Sequence, residues 1–334
     1  MSSNGAGVLL EVEDLVVRYP VPRGVVGTLT RRRRDWVNAV SGVSFSIRRG
    51  EMLALVGESG CGKTTTAQSV LRLVSADAGR IRFDGRDIAT LSNRALRPLR
   101  QRMQIIYQDP YESLDPRFRV RTTLEEPLQV HGIGSRTERR QEVSRALEVA
   151  GLSPPELYLD RYPHELSGGQ RQRVAIAAGL VLHPELLVAD EPVSMLDVSV
   201  RAGILAILDD LRHRGLGVLM ITHDLSTASR YADRIAVMYL GRIVEEGPAR
   251  EIVHNPQHPY TRALLSVVPK RDPRMRSEPQ ILRGETPDSI HIPRGCRFHP
   301  RCPMAIPDCK EIDPELRRPA AAQTPNHLAA CIRV

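Results

Sequence analysis

Aromatic residues are scarce in this chain and form only 4% of its 334 residues. The interior must therefore be built from Val, Leu, Ile and Ala, and the chain lacks the aromatic platforms on which single-stranded nucleic acids stack. No apolar run approaches the roughly 18 residues that a membrane-spanning helix needs. The start of the chain, MSSNGAGVLLEVEDL, has no basic segment followed by an apolar stretch, so we expect no signal peptide and a cytoplasmic location.

Cysteine is scarce as well. Five cysteines are too few for a disulfide scaffold, and a cytoplasmic location disfavours disulfides in any case. Four of the five lie after residue 295, and this clustering requires a local explanation.

The overall composition is that of a globular protein. Hydrophobic residues make up 41% of the chain and charged residues 26%, which excludes intrinsic disorder. The net charge of +8 is spread along the chain. Its densest run, four arginines at 31–34, is interpreted as a solvated loop, and we assign it no function.

Short apolar runs alternate with amphipathic segments, which predicts an α/β fold with a largely parallel sheet. The predicted strands are residues 9–17, 43–47, 52–56, 103–107, 186–189, 218–221 and 235–238. Residues 120–182 show a helical pattern and predict an inserted helical subdomain. After residue 269 the chain becomes polar, basic and rich in proline, so we expect a first domain over 1–269 and a small separate module over 270–334.

The segment GESGCGKTTT follows a predicted strand and precedes a predicted helix. Its glycines and Lys63 fit G-x-x-x-x-G-K-[ST], in which backbone N–H groups and the helix N-terminus cradle phosphate. Lys63 would reach the β- and γ-phosphates and Thr64 would coordinate Mg²⁺. The alternative is a tight turn without ligand, which needs neither side chain. The expected nucleotide-binding residues here are Gly57, Ser59, Gly60, Cys61, Gly62, Lys63, Thr64 and Thr65, with Cys61 interpreted as a small filler.

An acidic pair ends the apolar strand at 186–189. A buried strand that delivers two carboxylates has few structural reasons to do so. We expect Asp190 to hold Mg²⁺ through water and Glu191 to polarise the attacking water. A capping role for the pair is the alternative.

The segment LSGGQRQR, residues 166–173, resembles the signature motif of ABC ATPases. Its Ser167, Gly168 and Gly169 precede a helix whose N-terminal end can receive a phosphate. The resemblance implies that this end, with Gln170, reaches the γ-phosphate bound to an opposite subunit. Taken alone, the pattern also fits an ordinary helix start in which Ser167 is the N-cap and Gln170 completes a capping box.

Further segments resemble the same family one by one. Gln108 in IIYQDPYESLDP is similar to the Q-loop glutamine, which implies contact with Mg²⁺ and the membrane subunit. Asp197 in SMLD is similar to the D-loop aspartate that communicates across the dimer, and His223 in ITHD to the switch histidine at the γ-phosphate. Tyr19 is placed like the aromatic residue that stacks on adenine, although Trp36 competes for that role and a packing tyrosine is the plain alternative.

The resemblance narrows to the ATPases of oligopeptide and dipeptide importers. It rests on EPVSMLDVSVRAGIL, MYLGRIVEEG, NPQHPYTRALLSVVP and the tail GCRFHPRCP. It implies an ABC ATPase core with an antiparallel β edge and a helical subdomain, at the cytoplasmic face of the membrane as a peripheral subunit. The implied partners are a second, nonidentical ATPase subunit, two transmembrane permease subunits and an extracytoplasmic substrate-binding protein. Nickel and oligosaccharide importers use similar ATPases and stay open as alternatives.

The four late cysteines, Cys296, Cys302, Cys309 and Cys331, are separated by five, six and twenty-one residues. No gap matches the C-x₂-C knuckle of structural zinc sites. Four thiolates can nevertheless hold zinc or a [4Fe–4S] cluster, and free buried thiols are the third alternative. The resemblance to the transporter tails favours the cluster. Because the ligands lie in the predicted C-terminal module, we expect nucleotide binding to be independent of them.

Two other classes of function compete with the importer. ABC-type ATPases also act in DNA repair and translation, and a pI near 9.6 suits nucleic acid. Repair forms place a long coiled coil between phosphate loop and signature, and translational forms carry two cassettes, so we expect no nucleic-acid partner. A nonenzymatic metal-binding adaptor is disfavoured by the intact nucleotide motifs.

Overall fold

The computed structural model describes residues 7–21, 35–268, 282 and 284–334. The described residues group into two compact units. The helical unit lies within Met1–Leu9, Ile47–Met52 and Thr90–Ile221, and the phosphate-loop unit lies within Leu10–Ser46, Leu53–Ala89 and Thr222–Val334. The arginine run at 31–34 and the expected boundary at 269/270 fall outside the described residues.

The described residues form eleven strands. The strands are β1 (Val8–Pro20), β2 (Trp36–Arg48), β3 (Met52–Val56), β4 (Ala78–Phe83), β5 (Arg86–Asp87), β6 (Met103–Ile106), β7 (Leu186–Asp190), β8 (Gly217–Thr222), β9 (Arg234–Tyr239), β10 (Arg242–Pro248) and β11 (Leu328–Ala329). The α-helices are α1 (Lys63–Val70), α2 (Asn93–Arg102), α3 (Pro110–Ser113), α4 (Val120–Val130), α5 (Arg136–Val149), α6 (Glu156–Leu159), α7 (Gly168–Leu180), α8 (Val198–His213), α9 (Leu225–Tyr231), α10 (Ala249–His254) and α11 (Pro259–Ser266).

Parallel strands β6, β7 and β8 form the core of the helical unit. In register, Ile106 pairs with Ala189 and Asp190 pairs with Ile221. All residues of β7 are buried, as expected for a parallel strand covered on both faces, and this is why its sequence is a continuous apolar run. Helices α4, α5 and α7 pack against one another in the same unit.

The phosphate-loop unit contains two groups of strands. One is an antiparallel sheet in the order β2, β1, β4, β5. In the other, β3 runs parallel to β9, β9 and β10 form an antiparallel hairpin, and β11 adds to the far edge of β10. The hairpin turns at Leu240 and Gly241, whose φ angles are +43° and +81°. Two positive φ angles in a two-residue loop match a type I′ turn, whose twist suits a hairpin.

The predicted fold class is confirmed. Each predicted strand overlaps an observed strand, although residue 107 lies one position beyond the end of β6, and the antiparallel edge is present. Four observed strands, β4, β5, β10 and β11, have no counterpart among the predicted ones. Strand β10 escapes the sequence pattern because it carries Glu245, fully buried, and buried glutamate is tolerated only with partners that the local sequence does not reveal. In the described part of the chain, no helix is both long and apolar enough to cross a membrane.

Candidate nucleotide site

The phosphate loop joins the buried strand β3 to helix α1 in the phosphate-loop unit. The Lys63 side chain folds back into this loop and is buried. Its Nζ donates to the carbonyl oxygens of Gly57, at 2.8 Å, and Glu58, at 2.9 Å. A lysine amine has three donors, and the third faces the Cys61 Sγ at 3.8 Å. Since sulfur is a weak acceptor, an anionic oxygen would outcompete it for this donor.

Gly62 is required by the path of the backbone. Its φ is +106°, and a Cβ placed there would lie 2.1 Å from the Ala39 carbonyl oxygen. No L-residue with a side chain fits this position without moving the backbone. The rest of the predicted loop is more open: Ser59, Gly60 and Thr64 are exposed and Thr65 is half-buried.

Cys61 is buried in the same loop. Burial raises the pKa of its thiol, although the nearby Lys63 amine acts in the opposite direction. The thiol is therefore neutral near pH 7, which agrees with a filler role and gives no indication of metal binding.

Glu58 is a loop residue that the sequence reasoning did not select. Its carboxylate accepts hydrogen bonds from Arg301 and Thr286, and its backbone N–H donates to the Tyr260 hydroxyl at 3.0 Å. No local pattern signals these partners, because they lie more than two hundred residues later in the sequence.

The acidic pair lies at the end of β7 in the helical unit. Asp190 is buried, whereas Glu191 is half-buried and has a φ of +45°. A glutamate in the left-handed region is uncommon, and such strain clusters at functional sites. Glu191 N–H donates to the Ile221 carbonyl at 3.0 Å, and Gln108 Nε2 donates to Glu191 Oε2 at 3.3 Å. The structure thus brings together two of the predicted residues of this unit.

The signature segment begins α7 with a complete capping box. Gln170 N–H donates to Ser167 Oγ at 3.3 Å, and Ser167 N–H donates to Gln170 Oε1 at 2.9 Å. Gly168 is the first helical residue. Gly169 lies against α8, and a Cβ there would lie 2.6 Å from Val200 Cγ1. The capped helix start considered from the sequence is therefore present, and the second glycine has a packing reason of its own.

Asp197 is exposed immediately before α8. Two large apolar side chains flank it at the surface: Met195 is 62% exposed and Val198 is 79% exposed.

The remaining predicted residues belong to the phosphate-loop unit. His223 is exposed between β8 and α9. Asp224 begins that helix by accepting from Ser226 N–H at 2.8 Å. Tyr19 lies near the end of β1 and Trp36 at the start of the neighbouring β2, and both are 38% exposed. The Arg18 guanidinium lies 5.5 Å from the Trp36 ring centre, so Trp36 already has a cationic neighbour.

The four late cysteines line one small cavity in the phosphate-loop unit, together with His258, Phe298 and His299. Cys309 and Cys331 are buried and the other two are partly buried. Burial raises the pKa of the Cys296 thiol to about 11, and the neighbouring thiols act in the same direction. Among the described residues, no group of three or more His, Cys, Asp or Glu side chains is arranged to hold a metal ion. His299 Nδ1 is engaged with the Cys296 carbonyl oxygen at 2.9 Å.

Residues 40–194 match the family described as ABC transporter, and residues 244–309 match the oligopeptide/dipeptide transporter C-terminal region. The oligopeptide transport ATP-binding protein AppF of Bacillus subtilis is 43% identical over 335 residues, covering 99% of each chain. The dipeptide transport ATP-binding protein DppF of Haemophilus influenzae is 44% identical, covering 98% of this chain and 97% of that one.

A solved structure extends the similarity to the fold. The ATP-binding cassette MJ0796, in a dimeric post-hydrolysis state bound to ADP and Pi, is 27% identical with a TM-score of 0.63. The match covers 72% of this chain and 99% of that one. The matched part of this chain therefore corresponds to a whole cassette.

Proposed function

This chain belongs to the ABC transporter family and is an ABC ATPase, and from that premise we propose that it hydrolyses ATP to drive the import of peptides. One observation carries the choice of peptide. Two relatives that match almost the whole chain, C-terminal region included, are named for oligopeptide and dipeptide transport. These names favour peptide over nickel or oligosaccharide as cargo.

In this proposal the phosphate loop holds the nucleotide. Lys63 exchanges its weak sulfur contact for an oxygen of the β- or γ-phosphate, and the backbone N–H groups from Ser59 to Thr65 surround the remaining phosphate oxygens. Tyr19, exposed on β1, stacks on the adenine.

The proposed magnesium ligands fit the ion chemically. The Thr64 hydroxyl and the Gln108 amide would offer oxygen directly and the Asp190 carboxylate through water, and oxygen is the donor that Mg²⁺ prefers. When bound, Mg²⁺ supplies positive charge at the β- and γ-phosphate oxygens.

Glu191 is the proposed base. Its carboxylate takes a proton from water as the water oxygen bonds to the γ-phosphorus and the bond to the ADP oxygen breaks. Gln108, 3.3 Å from Glu191, orients that carboxylate, and His223 donates to the γ-phosphate.

The chain would form a dimer with a second ATPase subunit, which we propose to be nonidentical. The N-terminal end of α7 (Ser167 to Gln170) would face the γ-phosphate held by the opposite subunit, with Asp197 at the contact. The exposed Met195 and Val198 support such a contact. Two permease subunits and an extracytoplasmic binding protein complete the complex, and the ATPase is peripheral at the cytoplasmic face.

Co-purification of this chain with its membrane complex tests the function. We expect mass spectrometry of the ligand retained by the binding protein to find peptides, and ATP turnover of the reconstituted complex to rise when peptide-loaded binding protein is added. A retained nickel complex or sugar would overturn the peptide assignment but not the ATPase assignment.

For the cysteine cavity we propose a [4Fe–4S] cluster, with zinc as the alternative. Four thiols around one cavity provide the ligand set of such a cluster. We propose a structural or docking role, since a cross-link would order a short, proline-rich segment.

Anaerobic purification tests the cluster. The protein should be brown and contain about four irons and four sulfides per chain. Cys302→Ser should lose the colour, whereas the control Cys61→Ser should keep it because Cys61 lies in the phosphate loop. Stoichiometric zinc without iron would replace the cluster by zinc, and absence of both metals would overturn the metal site.

A further inference from the structure

A largely buried ion pair joins the phosphate loop to the C-terminal segment. Arg301 Nη1 donates to Glu58 Oε2 at 2.8 Å, and Arg301 Nη2 donates to Glu58 Oε1 at 3.3 Å. The Arg301 side chain is only 9% exposed. Thr286 Oγ1 donates to the same carboxylate at 2.7 Å. Glu58 is thus held on both oxygens by residues far from it in sequence.

Aromatic packing fixes the arginine and the loop together. The rings of Tyr239, Tyr260 and Phe298 lie 4.7 to 5.4 Å apart, centre to centre. The Arg301 guanidinium lies 5.9 Å from the centre of the Tyr239 ring. Because Tyr260 also accepts the Glu58 N–H, both the backbone and the side chain of this loop residue are anchored to one cluster.

The charge of Glu58 requires such an anchor. Burial opposes its ionisation, but hydrogen bonds from Arg301 and Thr286 outweigh this and hold its pKa below the usual range. The carboxylate is therefore negative at neutral pH and belongs to a loop that must accept an anionic phosphate chain. Without a compensating cation it would repel that chain and attract the Lys63 amine, which is already bonded to the Glu58 carbonyl.

We propose that Arg301 is a positioning residue of the nucleotide site: by neutralising and fixing Glu58, the C-terminal segment sets the affinity of the phosphate loop for ATP. This inference rests on the proposed ATP-binding function. It assigns a role at the nucleotide to a segment that the sequence places in a separate module. Arg301 is also bonded directly to Cys302, so the residue that contacts the loop adjoins the cysteine cavity.

Nucleotide affinity of the full-length chain tests the proposal, measured by titration with MgADP and a fluorescent ATP analogue. Arg301→Ala should weaken binding about tenfold, because it leaves the Glu58 carboxylate uncompensated. Arg301→Lys keeps the positive charge but cannot donate to both carboxylate oxygens through a planar guanidinium, so it should recover part of the lost affinity. Glu58→Gln in the Arg301→Ala background should restore affinity to within about threefold of the wild type. A merely structural arginine would not be rescued by this second change.

The ion pair between Arg242 Nη1 and Asp313 Oδ2, 2.5 Å long, provides a matched control. It also joins the C-terminal segment to an earlier strand of the same unit, β10, but does not involve the phosphate loop. Asp313→Asn should leave nucleotide affinity within about twofold, as expected for an exposed pair. If the wild type binds ATP and Arg301→Ala binds it with the same affinity, this inference alone is overturned. The same holds if Glu58→Gln does not restore the affinity lost in Arg301→Ala. Failure of the wild type to bind ATP would instead overturn the proposed function.

Discussion

Two helices of this protein begin at glycine-containing motifs, yet their N-terminal ends are built differently. Helix α1 follows Gly62, which is left-handed, and among the described residues no side chain caps it. Helix α7 follows Ser167, whose hydroxyl and backbone N–H both form capping-box bonds with Gln170. The N-cap of the first helix makes no side-chain hydrogen bond, whereas the second helix is capped by its own residues.

The difference separates two roles that glycine content alone does not distinguish. An uncapped helix end with a neighbouring lysine has a direct use for an anion, since both the unpaired N–H groups and the helix dipole favour negative charge. A capped end has its donors satisfied by its own residues, so under the proposed function it would act on the nucleotide of a partner subunit and not hold one itself. Four substitutions test whether the α1 end binds nucleotide and whether the α7 end completes the nucleotide site of a partner subunit.

The largest effect on ATP turnover is expected when only the proton-accepting group is removed. Glu191→Gln keeps the shape and the contact with Gln108 but cannot accept a proton, so turnover should fall about 10²- to 10⁴-fold. ATP affinity should be preserved, and the closed ATP-bound dimer should accumulate. Steady-state ATPase rates together with size-exclusion chromatography in ATP measure both. Near wild-type turnover would refute Glu191 as the base.

Lys63→Ala removes the cation from the α1 motif. Loss of a charge-assisted contact to phosphate should weaken ATP binding about 10- to 100-fold, corresponding to about 1.5–3 kcal/mol. Equilibrium titration with a fluorescent nucleotide measures it. Unchanged affinity would mean that the loop is only a strand-to-helix turn.

Ser167→Arg places bulk at the α7 motif. Turnover should fall about tenfold or more, because closure against the partner subunit is blocked, whereas nucleotide affinity at Lys63 should stay unchanged. The same titration and ATPase assay separate the two quantities. Weakened local binding with normal turnover would favour a purely structural role for this segment.

The smallest effect concerns the cap itself. Helix α5 begins with an equivalent capping box between Ser135 and Glu138, and both serines are exposed. Ser167→Ala and Ser135→Ala should each lower the free energy of unfolding by about 1 kcal/mol, measured by urea denaturation. Only Ser167→Ala should also reduce ATP turnover. Equal ATP turnover in the two variants would show that Ser167 acts only as a helix N-cap.

The sequence predicts local features well because they depend on nearby residues. The apolar run of β7, the turn into α1 and the capping box at Ser167 each follow from residues a few positions apart. The contact between Arg301 and Glu58 joins positions separated by 243 residues, and no spacing rule reports it. The positive φ of Glu191, whose N–H donates to the Ile221 carbonyl oxygen, was also not predictable from the acidic pair.

The sequence analysis assigned β10 and the C-terminal segment to different domains for the same reason, because their contact joins residues far apart in the sequence. Composition places a boundary near residue 269, but β11 adds to the edge of β10 and its neighbour His327 lies against Glu245. The polar, proline-rich composition between these two strands does not indicate where β11 packs.

That pairing has a consequence for the order of synthesis. Glu245 and His327 are 82 residues apart, so at about 5–20 residues per second the edge of β10 waits roughly 4 to 16 s on the ribosome for its partner. An open strand edge is a template for pairing with other chains, and charged side chains discourage it. Glu245 and Glu246 place two acidic side chains on this strand, so the nascent edge is a poor template for other chains until β11 pairs with it.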